Sequence, residues 1–419
     1  TYENRDEYPN SNYFLTNNGI IRFFGEKSIG MQVFALSSPS RVTMSNTGSG
    51  TKGMFMGGIE SYAMKWSSRV ANNSTMNNSG IIEISGDAGT HTSAGVTTVL
   101  NSLSSGMAVI ENGITEGKAA FSIRGYNGKV TNSGTINVSG GKGNTGMVLI
   151  VNAADDITNA SKGTINVSSA AGRQNIAMRV DKGTVTTDAP GTPKAINDGN
   201  IYLDGDSSMG IVGTNADVKN NNGKKIATKT NLTIINGVGM ATRGGNLENE
   251  GEIDLEGTGV STNIGVYMTK GTNNPTGTFS KTSVIKVKGD DSTGALISNG
   301  TLNYGGNITA VGDGVSGLII GDNKSNTADA TVKANGTITV NNGLQSAGIY
   351  TDSSSGKSVT VKKGSYGIVV GKNSKLVSDG KNNVDVNVSV KGAESIGLYA
   401  GENAKLEVKD HTVNADDGA

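Results

Sequence analysis

The sequence predicts an all-β chain folded as a single parallel β-helix solenoid. Three observations lead there. A glycine-led motif of alternating apolar and polar residues recurs along the chain, and a second glycine motif follows it at a nearly constant distance. The composition agrees: 62 glycines among 419 residues, with 34% apolar and 5% aromatic content, leave too few bulky side chains for a thick core but enough for a thin core repeated many times.

The first motif is clearest where residues 131 to 140 read TNSGTINVSG and residues 158 to 168 read TNASKGTINVS. Its pattern, Gly-x-Ile-x-apolar, begins at Gly19, Gly80, Gly134, Gly163, Gly199, Gly251, Gly306 and Gly336. The second position is always isoleucine: Ile21, Ile82, Ile136, Ile165, Ile201, Ile253, Ile308 and Ile338. The fourth is Phe23, Ile84, Val138, Val167, Leu203, Leu255, Ala310 or Val340, and the residues between are mostly polar. A period of two with one apolar face describes short strands buried on one side. Burying each isoleucine contributes about 1.5 to 3 kcal/mol.

The second motif is a glycine followed by an apolar run, as in GMVLI from Gly146, GIVG from Gly210, GVYM from Gly265, GLII from Gly317, GIY from Gly348, GIVV from Gly367 and GLYA from Gly397. Between Ala177, which takes the glycine position in NIAMRV, and Gly397, the spacing averages about 27 residues. A third, weaker strand appears in SKLVSDG and AKLEVKD. Three strands and three turns per coil, stacked about 4.8 Å apart, predict about 15 coils and a rod on the order of 70 Å long. Glycines and asparagines are expected at the corners, where positive φ or side-chain-to-backbone hydrogen bonds are needed. Residues 1–16 read as an N-terminal lead or cap and residues 17–419 as the β-helix.

The recurring NSGTINVSG followed by Ser-x-Gly-[Met/Ile/Leu] resembles the passenger domains of type V autotransporters, and most of all the large outer-membrane adhesins of fusobacteria. The resemblance runs from about residue 17 onward. It implies a right-handed β-helix, export to the cell surface or beyond, and attachment to a protein or glycan on host cells or other bacteria. The aromatic-girdled barrel that ends such proteins is absent from this chain, so the resemblance implies a passenger segment joined to the membrane only through a C-terminal barrel elsewhere.

Other classes find little support. Thirty-six basic residues balance thirty-six acidic ones, so no net field draws nucleic acid or an anionic membrane. The absence of cysteine rules out disulfides and thiolate metal sites, and it suits a chain exported unfolded. No stretch approaches the roughly 20 apolar residues of a membrane span, and TYENRDEY does not read as a signal peptide. No cofactor or metal is expected.

Candidate catalytic features read better as turns. Gly205–Gly210, GDSSMG, resembles the surround of a serine nucleophile at Ser207, but Ser208 stands where that pattern has glycine, and GDDSTG at Gly289–Gly294 occupies the same repeat position. The two histidines, His91 and His411, are far apart in the repeat, which leaves a histidine-based triad unsupported. The pairs Asp155-Asp156, Asp290-Asp291 and Asp416-Asp417 raise an alternative, a β-helix polysaccharide hydrolase or lyase, which would gather carboxylates from adjacent coils beside a basic residue. These pairs are distant in sequence, and Glu83 and Asp254 read as isolated strand-borne acids. GGKGNTG near Gly140 lacks the aspartates of calcium-binding repeats, and Lys288-Gly289-Asp290 reads as a turn. Lys219, Lys224, Lys225 and Lys229 form a basic run without an intervening acid, which reads as a solvated turn that could also meet an acidic ligand.

Two features point to binding. Ten of nineteen aromatics fall in the first 66 residues, including Tyr2, Phe14, Phe24, Phe55, Tyr62 and Trp66. They read as a cap on the solenoid's open end or as a binding surface, with Trp66 between Lys65 and Arg69 as a sugar platform. The second is the outward position of the second motif, which reads Phe55, Val148, Val212, Tyr267, Leu296, Ile319, Tyr350, Val369 and Tyr399. An apolar line of that length predicts a partner docked along Tyr267, Leu296, Ile319, Tyr350 and Tyr399, unless loops cover it.

Overall fold

The isoleucines of the first motif stack directly on one another, and the rest of each coil is arranged around that stack. In the computed structural model they occupy one strand position in a parallel sheet, sheet C. Up to residue 219 the column runs Ile21, Met54, Ile82, Ile136, Ile165, Ile201. From residue 220 it runs Ile226, Ile253, Ile285, Ile308, Ile338, Val388, Val413. Ile82 to Ile201 and Ile226 to Ile338 are at most 1% exposed. Ile21, in the first strand of its sheet, is only partly buried.

The structure describes residues 2–4, 12–25, 28–35, 41–57, 61–68, 74–85, 119–124, 128–139, 143–151, 154–169, 174–182, 191–321, 330–334, 336–341, 350–352, 357–359, 366–378, 386–391, 395–407 and 412–416. No helix occurs among them. The chain divides into two compact units, one ending at Lys219 and one running on from Asn220. Each is built from three parallel sheets, visited in the order A, B, C. In the first unit a typical coil comprises Thr145–Val151 in sheet A, Asp156–Asn159 in sheet B and Thr164–Ser169 in sheet C. In the second, Ile264–Thr269, Thr276–Phe279 and Val284–Asp290 play the same parts.

Pairing already begins inside the lead expected at 1–16. Tyr2–Asn4 pairs with Val33–Ala35, and Asn12–Asn17 with Arg41–Asn46. One motif departs from the repeat. Gly348 lies outside the described residues, and Tyr350–Asp352 pairs antiparallel with Lys357–Val359 while sheet A passes from Ser316–Ile320 straight to Tyr366–Val370. The glycine spacing through residues 317–367 therefore contains an insertion rather than an extra sheet A strand.

The second glycine is required by close approach. A Cβ on Gly265 would lie 2.4 Å from Ile285 Cγ2 and 2.5 Å from the Gly294 oxygen, and one on Gly294 would meet Ile308 Cγ2 at 2.3 Å and the Gly317 oxygen at 2.5 Å. Each glycine thus leaves the space that a sheet C isoleucine fills and lets the next coil's backbone in. The apolar residues after it complete the core: Val266, Met268, Ala295, Ile297, Leu318 and Ile320 are all 0% exposed.

Inside the first unit the last residue of each sheet B strand is asparagine. Asn17 Nδ2 donates to Asn46 Oδ1 at 2.8 Å, Asn46 to Asn78 at 2.8 Å, Asn78 to Asn132 at 2.9 Å, Asn132 to Asn159 at 2.8 Å and Asn159 to Asn197 at 2.9 Å. Asn46 to Asn197 are 0% exposed. An amide holds donors and acceptors at once, so identical amides satisfy one another from coil to coil. The glycine two residues on turns its N–H back to the same oxygen, as Gly80 does to Asn78 at 3.2 Å and Gly199 to Asn197 at 3.3 Å. In the second unit Asn220 donates to Asn249 at 3.0 Å and Asn249 to Ser283 Oγ at 2.6 Å. The next two strands then place Phe279 and Tyr304 in that register, ring edge to face with centroids 6.0 Å apart.

Two stability measurements follow. Ile136→Asp and Ile253→Asp each bury an unpaired charge and are expected to lower unfolding stability by several kcal/mol in urea titrations; an unchanged midpoint in both would contradict the column. Asn132→Asp removes the donors to Asn159 and sets a carboxylate in a dry ladder, which raises its folded-state pKa above the unfolded value. Stability relative to the parent is then lost as pH rises through that interval, so the deficit is expected to be smaller near pH 4 than at pH 7. A deficit independent of pH would contradict the burial of this position.

Candidate binding surfaces

The outward line of the second motif is a single register column within the second unit. Ala241, Tyr267, Leu296, Ile319, Val369 and Tyr399 follow one another across sheet A. Parallel pairing brings five residues of the expected line together, but it does not leave them free. Tyr267 is 6% exposed, Leu296 4%, Ile319 5% and Val369 3%, so both faces of these strands are withdrawn from water. Apolar residues at consecutive positions are the mark of a strand buried on both sides, and here they report coverage within the chain rather than a docking surface. Tyr399, in the last sheet A strand, is half-buried and packs edge to face on Tyr366 at 6.3 Å.

Tyr350 is not part of the column, since its strand pairs antiparallel with Lys357–Val359. Phe55 also lies elsewhere, in sheet C between Arg22 and Glu83, with the Arg22 guanidinium 5.0 Å from its ring centre. In the first unit the column reads Gln32, Lys65, Ser122, Val148, Arg179, Val212. Arg179, 3% exposed, forms an ion pair there with Asp181. A same-strand pair spaced i to i+2 on one face was the sequence signal for it.

Trp66 lies in the strand Tyr62–Ser68, in register with Val33 and Ile123, while Arg69 is outside the described residues. The Lys65 ammonium sits 4.5 Å over the ring of Tyr62, which is buried. Phe14 and Phe24 stand 74% and 68% exposed.

Each nucleophile-like stretch spans the end of a sheet C strand and the start of a sheet A strand, with a sharp corner between them. Gly205 has φ 81° and Ser207 φ 63°; Gly289 has φ 108° and Asp291 φ 58°. Ser207 Oγ donates to Asp206 at 2.8 Å, and Ser208 Oγ to the Asp204 carbonyl at 2.6 Å. His91 and His411 lie outside the described residues, as does Asp417. Among the described residues no group of three or more His, Cys, Asp or Glu side chains could hold a metal ion.

Asp254 and Glu83, expected to be isolated, both have cross-coil partners. Glu83 accepts from Asn137 Nδ2 at 2.6 Å, and Asn137 accepts from Asn166 at 2.7 Å along the outer face of sheet C. In the second unit the same face carries Glu252, Asp254 and Glu256 on alternate positions of one strand. Lys225 reaches Glu252 at 2.8 Å, Lys286 reaches Glu252 at 2.8 Å and Asp254 at 3.9 Å, and Lys288 reaches Glu256 at 3.1 Å. Hydrogen bonds from Lys225 and Lys286 hold Glu252 below the usual carboxylate range, whereas burial pushes Asp254 above it despite Lys286. Glu252 also holds Lys225, one member of the basic run, while Lys229 remains exposed.

Compared with known proteins, the chain matches no family model, no curated sequence and no solved structure.

Proposed function

We propose that this chain is a non-enzymatic segment of a cell-surface adhesin, exported as an autotransporter passenger and attaching to a protein or glycan on other bacteria or host cells. The observation that carries the reading is the repeat itself. Its NSGTINVSG phrase resembles the fusobacterial adhesin passengers, and its copies build coils whose polar side chains are taken up in cross-coil ladders. Side chains bound to their own neighbours hold a scaffold in place and leave it to present surface, which is what a stalk or binding segment requires.

A second reading, a β-helix polysaccharide hydrolase or lyase, is favoured by one observation. Glu252 and Asp254 sit two residues apart on one strand, about 7 Å along it, with their pKa values moved in opposite directions and Lys286 between them. Such a split is how an acid and a base are told apart in a hydrolase. Each carboxylate here faces a lysine on the adjoining coil, which accounts for the array as an ion-pair ladder.

Attachment of the purified segment to bacterial and epithelial cells, together with turnover on a glycan panel, separates the two. The adhesin reading expects saturable attachment and no product. Reducing ends or unsaturated sugars that accumulate with time and vanish in Asp254→Asn would replace it with the enzyme, and absence of attachment to any cell would remove its support.

A further inference from the structure

One register column on the outer face of sheet C, in the first unit, reads Phe55, Glu83, Asn137, Asn166 and Tyr202. All five side chains are half-buried, whereas Arg179 and Val212 on the outer face of sheet A in the same unit are withdrawn from water. Four steps from strand to strand set the two aromatic residues about 19 Å apart along the stack. Parallel pairing thus places an aromatic residue at either end of a polar row.

The row is held in one orientation by its own bonds. Asn137 Nδ2 donates to Glu83 at 2.6 Å, and Asn166 Nδ2 donates to Asn137 Oδ1 at 2.7 Å. These bonds do not exhaust the groups. A primary amide carries two N–H donors and an oxygen with two lone pairs, so one N–H of each amide, the Asn166 oxygen and the second Glu83 oxygen stay available to an outside partner. Phe55 is steadied as well, by the Arg22 guanidinium 5.0 Å from its ring centre.

The charges around the row limit what that partner is. The other outward positions between Ile81 and Asp204 are Ile81, Thr135, Thr164, Ser168, Asn200 and Asp204, so the charges on this stretch of the face are the carboxylates of Glu83 and Asp204. At the corner leading in, Lys162 precedes Thr164 by two residues and Asp198 precedes Asn200 by two, one of each sign. A sulfated or sialylated ligand would meet two carboxylates and no cation within the row. A protein surface would bury amides and hydroxyls without a bond for each, which is costly. A neutral sugar chain carries hydroxyls that donate and accept along its length, and C–H faces that lie against aromatic rings. In the second unit the outer positions of sheet C are instead charged, with Lys286 and Lys288 set against Glu252, Asp254 and Glu256.

We propose that Phe55, Glu83, Asn137, Asn166 and Tyr202 bind an uncharged oligosaccharide laid along the stack, with sugar rings on the two aromatic residues and hydroxyls bonded to the amides and Glu83. The inference rests on the adhesin reading and selects a glycan as the ligand of this face. Because the amides are already oriented by one another, little side-chain freedom is lost on binding. An uncharged ligand brings no ion pair, so its affinity is insensitive to salt.

Binding of the purified chain to immobilised neutral oligosaccharides of increasing length, built from hexoses and N-acetylhexosamines, tests the face. Sialylated and sulfated counterparts are measured beside them. The expected result is binding to at least one neutral series that strengthens with chain length, is unchanged by salt and exceeds binding to the acidic counterpart. Affinity is expected to fall about tenfold or more for Phe55→Ala/Tyr202→Ala and for Asn137→Ala/Asn166→Ala. Tyr202→Phe, which keeps the ring, is expected to bind more tightly than Tyr202→Ala, and Leu232→Ser in the second unit is expected to match the parent. An unchanged thermal transition checks that each variant is folded; if the amide variant loses its transition, the aromatic variant decides. No binding to any neutral series, preference for the acidic counterparts, loss of binding with salt, or parental affinity in the folded variants would each overturn the face. Cell attachment is scored separately. A parent that attaches to no cell overturns the adhesin reading whatever the oligosaccharides do, while attachment that survives enzymatic removal of the cells' glycans assigns the contact to protein and overturns the face alone.

Discussion

In a coil of parallel strands every residue meets its counterpart one coil away, and the rest of this structure depends on that constraint. A side chain is acceptable only if it can stack on its own kind or on a chosen complement. Isoleucine meets isoleucine and excludes water. Asparagine meets asparagine and exchanges one hydrogen bond per step, from Asn17 to Asn197. Glycine meets glycine because the Gly265, Gly294 and Gly317 backbones approach too closely for a Cβ. Like charges cannot obey the rule, so acid and base alternate between coils, as Lys225, Glu252 and Lys286 do.

The constraint also explains where the pattern changes. The amide ladder of the second unit needs a polar partner at each step, and at Asn249 it closes on the Ser283 hydroxyl. Phe279 and Tyr304 then fill the register with an edge-to-face ring pair. Burial pushes the Tyr304 phenol well above its ordinary pKa, so it stays neutral in a dry core. Either solution excludes water; the first spends polar atoms on one another, the second removes most of them.

Surfaces follow a different logic, because nothing in the coil rule says which outward positions face water. The Tyr267, Leu296, Ile319 and Val369 column is apolar and outward yet covered, and the Arg179–Asp181 pair is buried on the equivalent face of the first unit. In the second unit Leu232, Ile235 and Val260 stand exposed, and Val260 does so while paired in register with Asp290.

The isoleucine strands, their phase, the glycine motif and the parallel all-β architecture were all legible in the sequence, because a period of two and a repeated spacing are local properties of the chain. Asparagine at the corner was legible as a residue type, and Asn-x-Gly, repeated at Asn17, Asn46, Asn78, Asn132, Asn197 and Asn249, was the available sign of more. That these amides bond to one another inside the core required the coils to be stacked, since their partners lie 27 to 54 residues away. Likewise the strand pattern could not distinguish an outward apolar residue that is covered from one that is free, nor tell that Tyr350 belongs to an antiparallel insertion or that Asp254 faces Lys286. Those outcomes were decided by which coil lies beside which, and local periodicity carries no record of that neighbour.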